Sequence, residues 1–196
     1  MLKLPWEVIE RIIDYCWDHA PTLRSLSFTC RQLYPRSLSH LISSVNLQSR
    51  DRVFAFCDFL QTSAHFRPLV QAIVVSPAHF VASLLYALPN LSELKIYNSP
   101  PLPTFRADSC ILDPHKSTLA CCRRIGDHIR TLHLINISLP NPLALAHLLA
   151  TFAAVDDLVC EKLSVNLNIV SQPVEPLKRR LRGRLKPTKL TVSARP

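Results

Sequence analysis

Five times along this chain the pattern apolar-x-x-apolar-x-apolar returns: Ile42/Val45/Leu47, Val70/Ile73/Val75, Leu91/Leu94/Ile96, Ile129/Leu132/Leu134 and Val155/Leu158/Cys160. Successive copies start 28, 21, 38 and 26 residues apart. In each copy the last two positions alternate, as a strand with one buried face requires. A small polar residue followed by proline punctuates the intervals: Ser76-Pro77, Ser99-Pro100, Asp113-Pro114 and Asn141-Pro142. Such a pair suits a helix start, because the polar side chain caps free amides and proline is tolerated in the first turn. Helical faces follow in Phe80/Leu84/Leu88 and Leu145/Leu148/Leu149/Phe152, with Val53/Phe56/Cys57/Leu60 between the first two strands. A unit of one strand and one helix cannot bury its own apolar face. The units must therefore stack, with a parallel sheet on one side and helices on the other. An ordinary α/β layer with another strand order is the alternative left open by the unequal intervals. Residues 97–112, YNSPPLPTFRADSCIL, read as a Pro-rich surface excursion that lengthens one unit.

Only two glycines occur, Gly126 and Gly183, which excludes Gly-rich phosphate loops and dinucleotide fingerprints. The seven cysteines are odd in number, form no C-x-x-C and sit mostly among apolar neighbours. They read as buried reduced thiols of an intracellular protein, in cytoplasm and/or nucleus, with no metal site. The N-terminus carries charge where a signal peptide needs an apolar run. The longest apolar stretch, around residues 142–155, is too short to span a bilayer, so no membrane partner is expected.

The first forty residues follow a different rule. Three short helices fit them, the first opening at Pro5 with Glu7 in its first turn, where a negative charge suits the helix dipole. Its face holds Val8, Ile9, Ile12, Ile13 and Cys16. Thr22 is the expected cap of a second helix that buries Leu23, Leu26 and Cys30 and ends before Pro35. A third carries Leu38 and Leu41. A unit of about 40 residues without disulfides lies near the lower limit for a self-sufficient core. The stripe therefore either docks on a partner or caps the repeats.

Residues 4–41 resemble an F-box, the three-helix module that docks onto the Skp-type adaptor of cullin–RING ubiquitin ligases. LPWEVIERII at 4–13 and TLRSLSFTCRQLYPRSLSHL at 22–41 carry the resemblance, which looks most like the F-box-like proteins of fungi. It implies adaptor contact through Leu4, Pro5, Val8, Ile9, Ile12, Ile13, Leu26, Cys30, Arg31 and Leu33, divided between the interface and the module's own core. Leu33 stands where the family often has tryptophan. The following region looks like a leucine-rich-repeat array, a frequent companion of F-boxes. It lacks the asparagine expected three residues after the last strand position, where Arg50, Ala78, Ser99, Ile137 and Leu163 stand instead. The expected fold is thus α/β: a three-helix F-box at 1–41, an irregular leucine-rich-repeat-like solenoid with a parallel sheet at 42–176, and a basic, disordered tail at 177–196.

Catalysis finds no support. The eight histidines are scattered, and none pairs with Cys, Ser or Asp in a nucleophile motif. His133 reads as an outward strand residue, His147 as a partly buried helix residue, Asp156-Asp157 as a turn into a strand, and Cys121-Cys122 as helix packing. No cofactor is expected. Residues 178–196 hold eight basic residues and no acid, leaving only +1 for residues 1–177. A solvated tail is the first reading of that run, nuclear import the second, and nucleic-acid binding the third, since no aromatic residue is present to stack on bases. The expectation is a non-catalytic adaptor subunit of an SCF-type ubiquitin ligase. Its target would be held by strand-exposed Glu93, Lys95, Tyr97, Thr131 and His133. A repeat scaffold outside any ligase and a nucleic-acid binder working through the tail are the rivals.

Overall fold

The computed structural model describes residues 4–77, 82–98, 112, 116–123, 126–152, 154–165 and 189–193. The chain divides into two compact units, Met1–Val45 and Asn46–Pro196.

The first unit is three helices: α1 (Trp6–Tyr15), α2 (Ala20–Thr29) and α3 (Tyr34–Ser43). The first two begin slightly away from their expected starts. Pro5 is the N-cap of α1 rather than its first helical residue. At α2 the N-cap is His19, and Thr22 lies inside the helix with its hydroxyl 2.6 Å from His19 Nδ1. Helix α3 buries Ser37 and Ile42, whereas Leu38 and Leu41 are only half-buried. Cys30, expected in the core, is exposed.

Strand β1 (Ser44–Leu47) straddles the division between the units. There follow α4 (Arg50–Thr62), a 3-10 turn (Ala64–Leu69), β2 (Ala72–Val75), α5 (Ala82–Tyr86), β3 (Glu93–Tyr97) and α6 (Lys116–Arg123). The chain continues through β4 (Thr131–Ile135), β5 (Ser138–Leu139), α7 (Pro142–Thr151), β6 (Asp157–Glu161), β7 (Ser164–Val165) and β8 (Lys189–Ser193). The main sheet has the order β1-β2-β3-β4-β6-β8, and β5 pairs with β7 alone. From β2 to β8 every pairing is parallel. The fold is α/β with a parallel sheet.

Two inward rows run across it in register, Ile73–Leu94–Leu132–Leu158 and Val75–Ile96–Leu134–Cys160, and the backbone of β8 continues them with Leu190 beside Leu158 and Val192 beside Cys160. Of the fifteen template positions, all but Val45 are buried. Leu84, Leu85, Leu88, Cys122, Leu148 and Phe152, from the helices and the turns that follow them, are buried as well and join the core of this unit. Asn141 caps α7 as its sequence predicts, its Oδ1 accepting from the Ala144 amide at 2.7 Å. Phe56, Cys57, Leu145 and Leu149 are half-buried rather than buried, because the helices turn only part of each expected face inward. Phe80, Ser99-Pro100 and Asp113-Pro114 lie outside the described residues, as does most of the 97–112 segment. Leu112 is buried, and its amide donates to Ser138 O at 2.8 Å.

The span 177–196 is not a tail throughout. Lys189–Ser193 forms β8, paired with β6 residue for residue. Strand pairing prevails there over the local composition.

Candidate interaction surfaces

On α1 the apolar arc is wider than the contact it makes. Ile13 is 1% exposed, so of the set left divided between an interface and the unit's own core it falls on the core side. One turn round the helix, Val8 is 39% and Ile12 47% exposed, and Leu4, four residues before Val8, is 60% exposed. Ile9 is half-buried between the two sides. Pro5, Cys30 and Arg31 are exposed, and Leu26 and Leu33 are half-buried. Aromatic residues that the sequence reading passed over add to this surface: Trp6, Tyr15, Trp17, Phe28 and Tyr34 are all exposed. Their signal was available, since large aromatics at helix ends in so small a unit have little core to enter. Only Ile13, Leu23 and Ile42 are buried apolar side chains in this unit among the described residues.

The other side of α1 is ionic. Arg36 of α3 donates to both Asp14 oxygens, Nε to Oδ1 at 2.8 Å and its terminal nitrogen to Oδ2 at 2.7 Å. His40 Nε2 lies 2.8 Å from the same Oδ1, and Arg36 also lies 3.6 Å from Glu10. The Arg36 bonds, with those of His40 next, hold the Asp14 carboxyl well below the usual carboxylate range. Glu10 and Asp14 are four apart on α1, and Arg36 and His40 four apart on α3, so two helical faces meet as a clamp. Residues 22–26 positions apart gave no sequence signal for it.

In the second unit the five residues expected to touch a target share one sheet face. The register sets Glu93 beside Thr131 and Lys95 beside His133, with Tyr97 beside Ile135. All are half-buried. Glu93 Oε1 accepts from Lys95 Nζ at 2.8 Å and lies 3.5 Å from His133 Nε2. Burial, then the Lys95 charge, lowers the His133 pKa, so its ring is neutral at pH 7. The same period of two extends the face to Val74 on β2 and to Asp157, Val159 and Glu161 on β6, all half-buried. Parity from the template was enough to find these residues, yet attention to β3 and β4 alone missed them.

Asn98 and Asn136 each stand two residues after the last template position of their strand, one position before the place where the resemblance led an asparagine to be expected. Asn136, in the left-handed region at φ 55°, donates its Nδ2 to Asn98 O at 2.8 Å. Lys162 holds the equivalent place after β6 at φ 50°. Among the described residues no group of three His, Cys, Asp or Glu is placed to hold a metal ion, and no helix is long and apolar enough to cross a membrane. No protein-family model, curated protein or solved structure matches the chain.

Proposed function

We propose that this chain is a non-catalytic substrate-recognition subunit of an SCF-type E3 ubiquitin ligase. In this reading the helical unit is an F-box-like module that docks on a Skp-type adaptor, in cytoplasm and/or nucleus. The second unit is an irregular leucine-rich-repeat-like solenoid that holds a target protein. One observation carries the docking reading: of ten exposed large hydrophobic residues among those described, eight lie between Leu4 and Tyr34. Such a concentration marks an interaction site rather than ordinary surface scatter. The in-order parallel pairing of β2, β3, β4, β6 and β8, with the small β5–β7 sheet beside them, supports the solenoid reading. Rate enhancement then comes from raising the target's effective concentration near the charged E2, with the chemistry left to other subunits.

The test is a pull-down of the full chain by purified Skp-type adaptor. The intact protein is retained, and Val8→Asp with Ile12→Asp abolishes retention while the thermal midpoint holds, because both side chains are exposed in the free chain. Ile13 is left alone, since its replacement would unfold the unit. No retention of the intact chain, or full retention of the double variant, overturns the reading and leaves a repeat scaffold that joins no ligase.

A further inference from the structure

Parallel sheets are normally covered on both faces. In the second unit one face is packed into the core, while the other presents half-exposed Val74, Tyr97, Ile135 and Val159 among charged groups. The charges on it are unevenly spread. Glu93 is neutralised by Lys95 at 2.8 Å. On β6, Asp157 and Glu161 point to the same side as Val159, and neither forms a salt bridge among the described residues. Asp157 Oδ1 is screened from solvent and has no hydrogen-bond partner among them. In the register Lys189 of β8 stands beside Asp157, whereas Ser193 stands beside Glu161, so β8 sets no basic residue beside Glu161.

We propose that this face takes an extended segment of a target protein that carries two cationic residues four positions apart with an apolar residue midway. Four residues of strand span about 13 Å, which matches Asp157 to Glu161. The segment's midway apolar side chain then lies over Val159, whose neighbour on β4 is the neutral His133 ring, with Ile135 beside Glu161 at the segment's end. The inference rests on the reading of this face as the target-holding surface and names the chemistry of what it holds. Charge complementarity is the argument for that occupant. The whole chain carries a net charge of +9, so diffuse attraction favours acidic partners. A preference for a basic segment must then arise locally.

The experiment is a fluorescence-anisotropy titration of the full chain with two labelled peptides, one with arginines at its first and fifth positions and isoleucine at the third, the other with glutamates in place of the arginines. The arginine peptide binds more tightly, and Asp157→Asn with Glu161→Gln weakens it about tenfold, the size expected for two surface charge pairs. Glu161→Gln alone gives part of that loss and serves should the double variant fail to fold. Lysine at both positions reverses the preference. Equal binding of the two peptides, or unchanged binding by the folded variants, overturns the proposal. Adaptor retention by these variants stays intact, so failure here is separable from failure of the docking reading.

Discussion

Gly126 sits where an alanine cannot. Three residues past the end of α6, its amide donates to Cys122 O at 2.7 Å and closes that helix. A methyl group built on its Cα would overlap the Thr151 carbonyl oxygen, and would stand 3.0 Å from Thr151 C and 3.3 Å from Cys122 O. All three atoms are backbone, so no rotamer change relieves the contact. Thr151 is buried at the end of α7, and the two helix ends must part for the methyl to enter. Overpacking of this kind costs about 1–3 kcal/mol, and a backbone obstacle places it at the upper end. The opposing term is the lost freedom of the unfolded chain, which favours alanine by about 0.4–1 kcal/mol. Gly126 does not have positive φ, so that gain is not offset by torsional strain. The net expectation for Gly126→Ala is a destabilisation of about 2 kcal/mol, read as a drop of roughly 4–8 °C in a circular-dichroism melt for a unit of this size. Asp127→Ala, at the exposed neighbour, stays within about 0.5 kcal/mol of the parent. Since the obstacle is a carbonyl, adding Thr151→Ala gives no rescue. A Gly126→Ala protein more stable than the parent, or one restored by trimming Thr151, would refute the reasoning.

Two further outcomes follow from the same geometry. Both tryptophans, Trp6 and Trp17, lie in the first unit, so their fluorescence reports its unfolding. By that signal Asp14→Asn melts below the parent at pH 7. Because the folded carboxyl is held below its ordinary value, the stabilisation is complete above about pH 4 and is lost as the pH falls further, so the two melting curves converge in acid. A gap that persists unchanged at pH 3 would count against the clamp. Peptide mapping after brief iodoacetamide treatment finds exposed Cys30 modified before Cys122 and Cys160, which are reached only on unfolding; burial also raises the Cys160 thiol pKa. Early labelling of Cys122 would contradict its burial.

The strand template was legible because one rule decides it: a strand with one covered face buries every second side chain. Fourteen of the fifteen expected positions obey that rule. Strand β8 joins the sheet in the same register, Leu190 beside Leu158 and Val192 beside Cys160. Its first template position is Pro187, and lysines and arginines crowd the approach, so composition hid a sixth copy of the pattern. Helix faces were read less well, since a cylinder offers a broad arc and only the neighbouring element decides which part is covered. That is why Ile13 and Ile12, adjacent in sequence and equally apolar, end on opposite sides of the surface boundary. The clamp was invisible for another reason. Asp14, Arg36 and His40 are each unremarkable alone, and only the docking of α1 on α3 brings them together.

The strands are joined by connections of unequal length, yet their corners are built alike. Gln71 O accepts the amides of Ser92 and Glu93 at 2.9 and 3.0 Å. Ser92 O accepts those of Arg130 and Thr131 at 2.8 and 3.0 Å, and Arg130 O those of Asp156 and Asp157 at 2.8 and 3.0 Å. The same two-amide hand-off thus recurs from β2 to β3, from β3 to β4 and from β4 to β6. Backbone groups make it, so the identities Gln, Ser and Arg do not matter, and no residue pattern announces it. Each corner fixes the register of the next strand and satisfies its leading amides. The chain between corners is then free to vary in length, because the entropic cost of closing a longer connection grows only slowly with its length. A constant corner joined by variable connections is how copies spaced 21 to 38 residues apart still stack in one sheet.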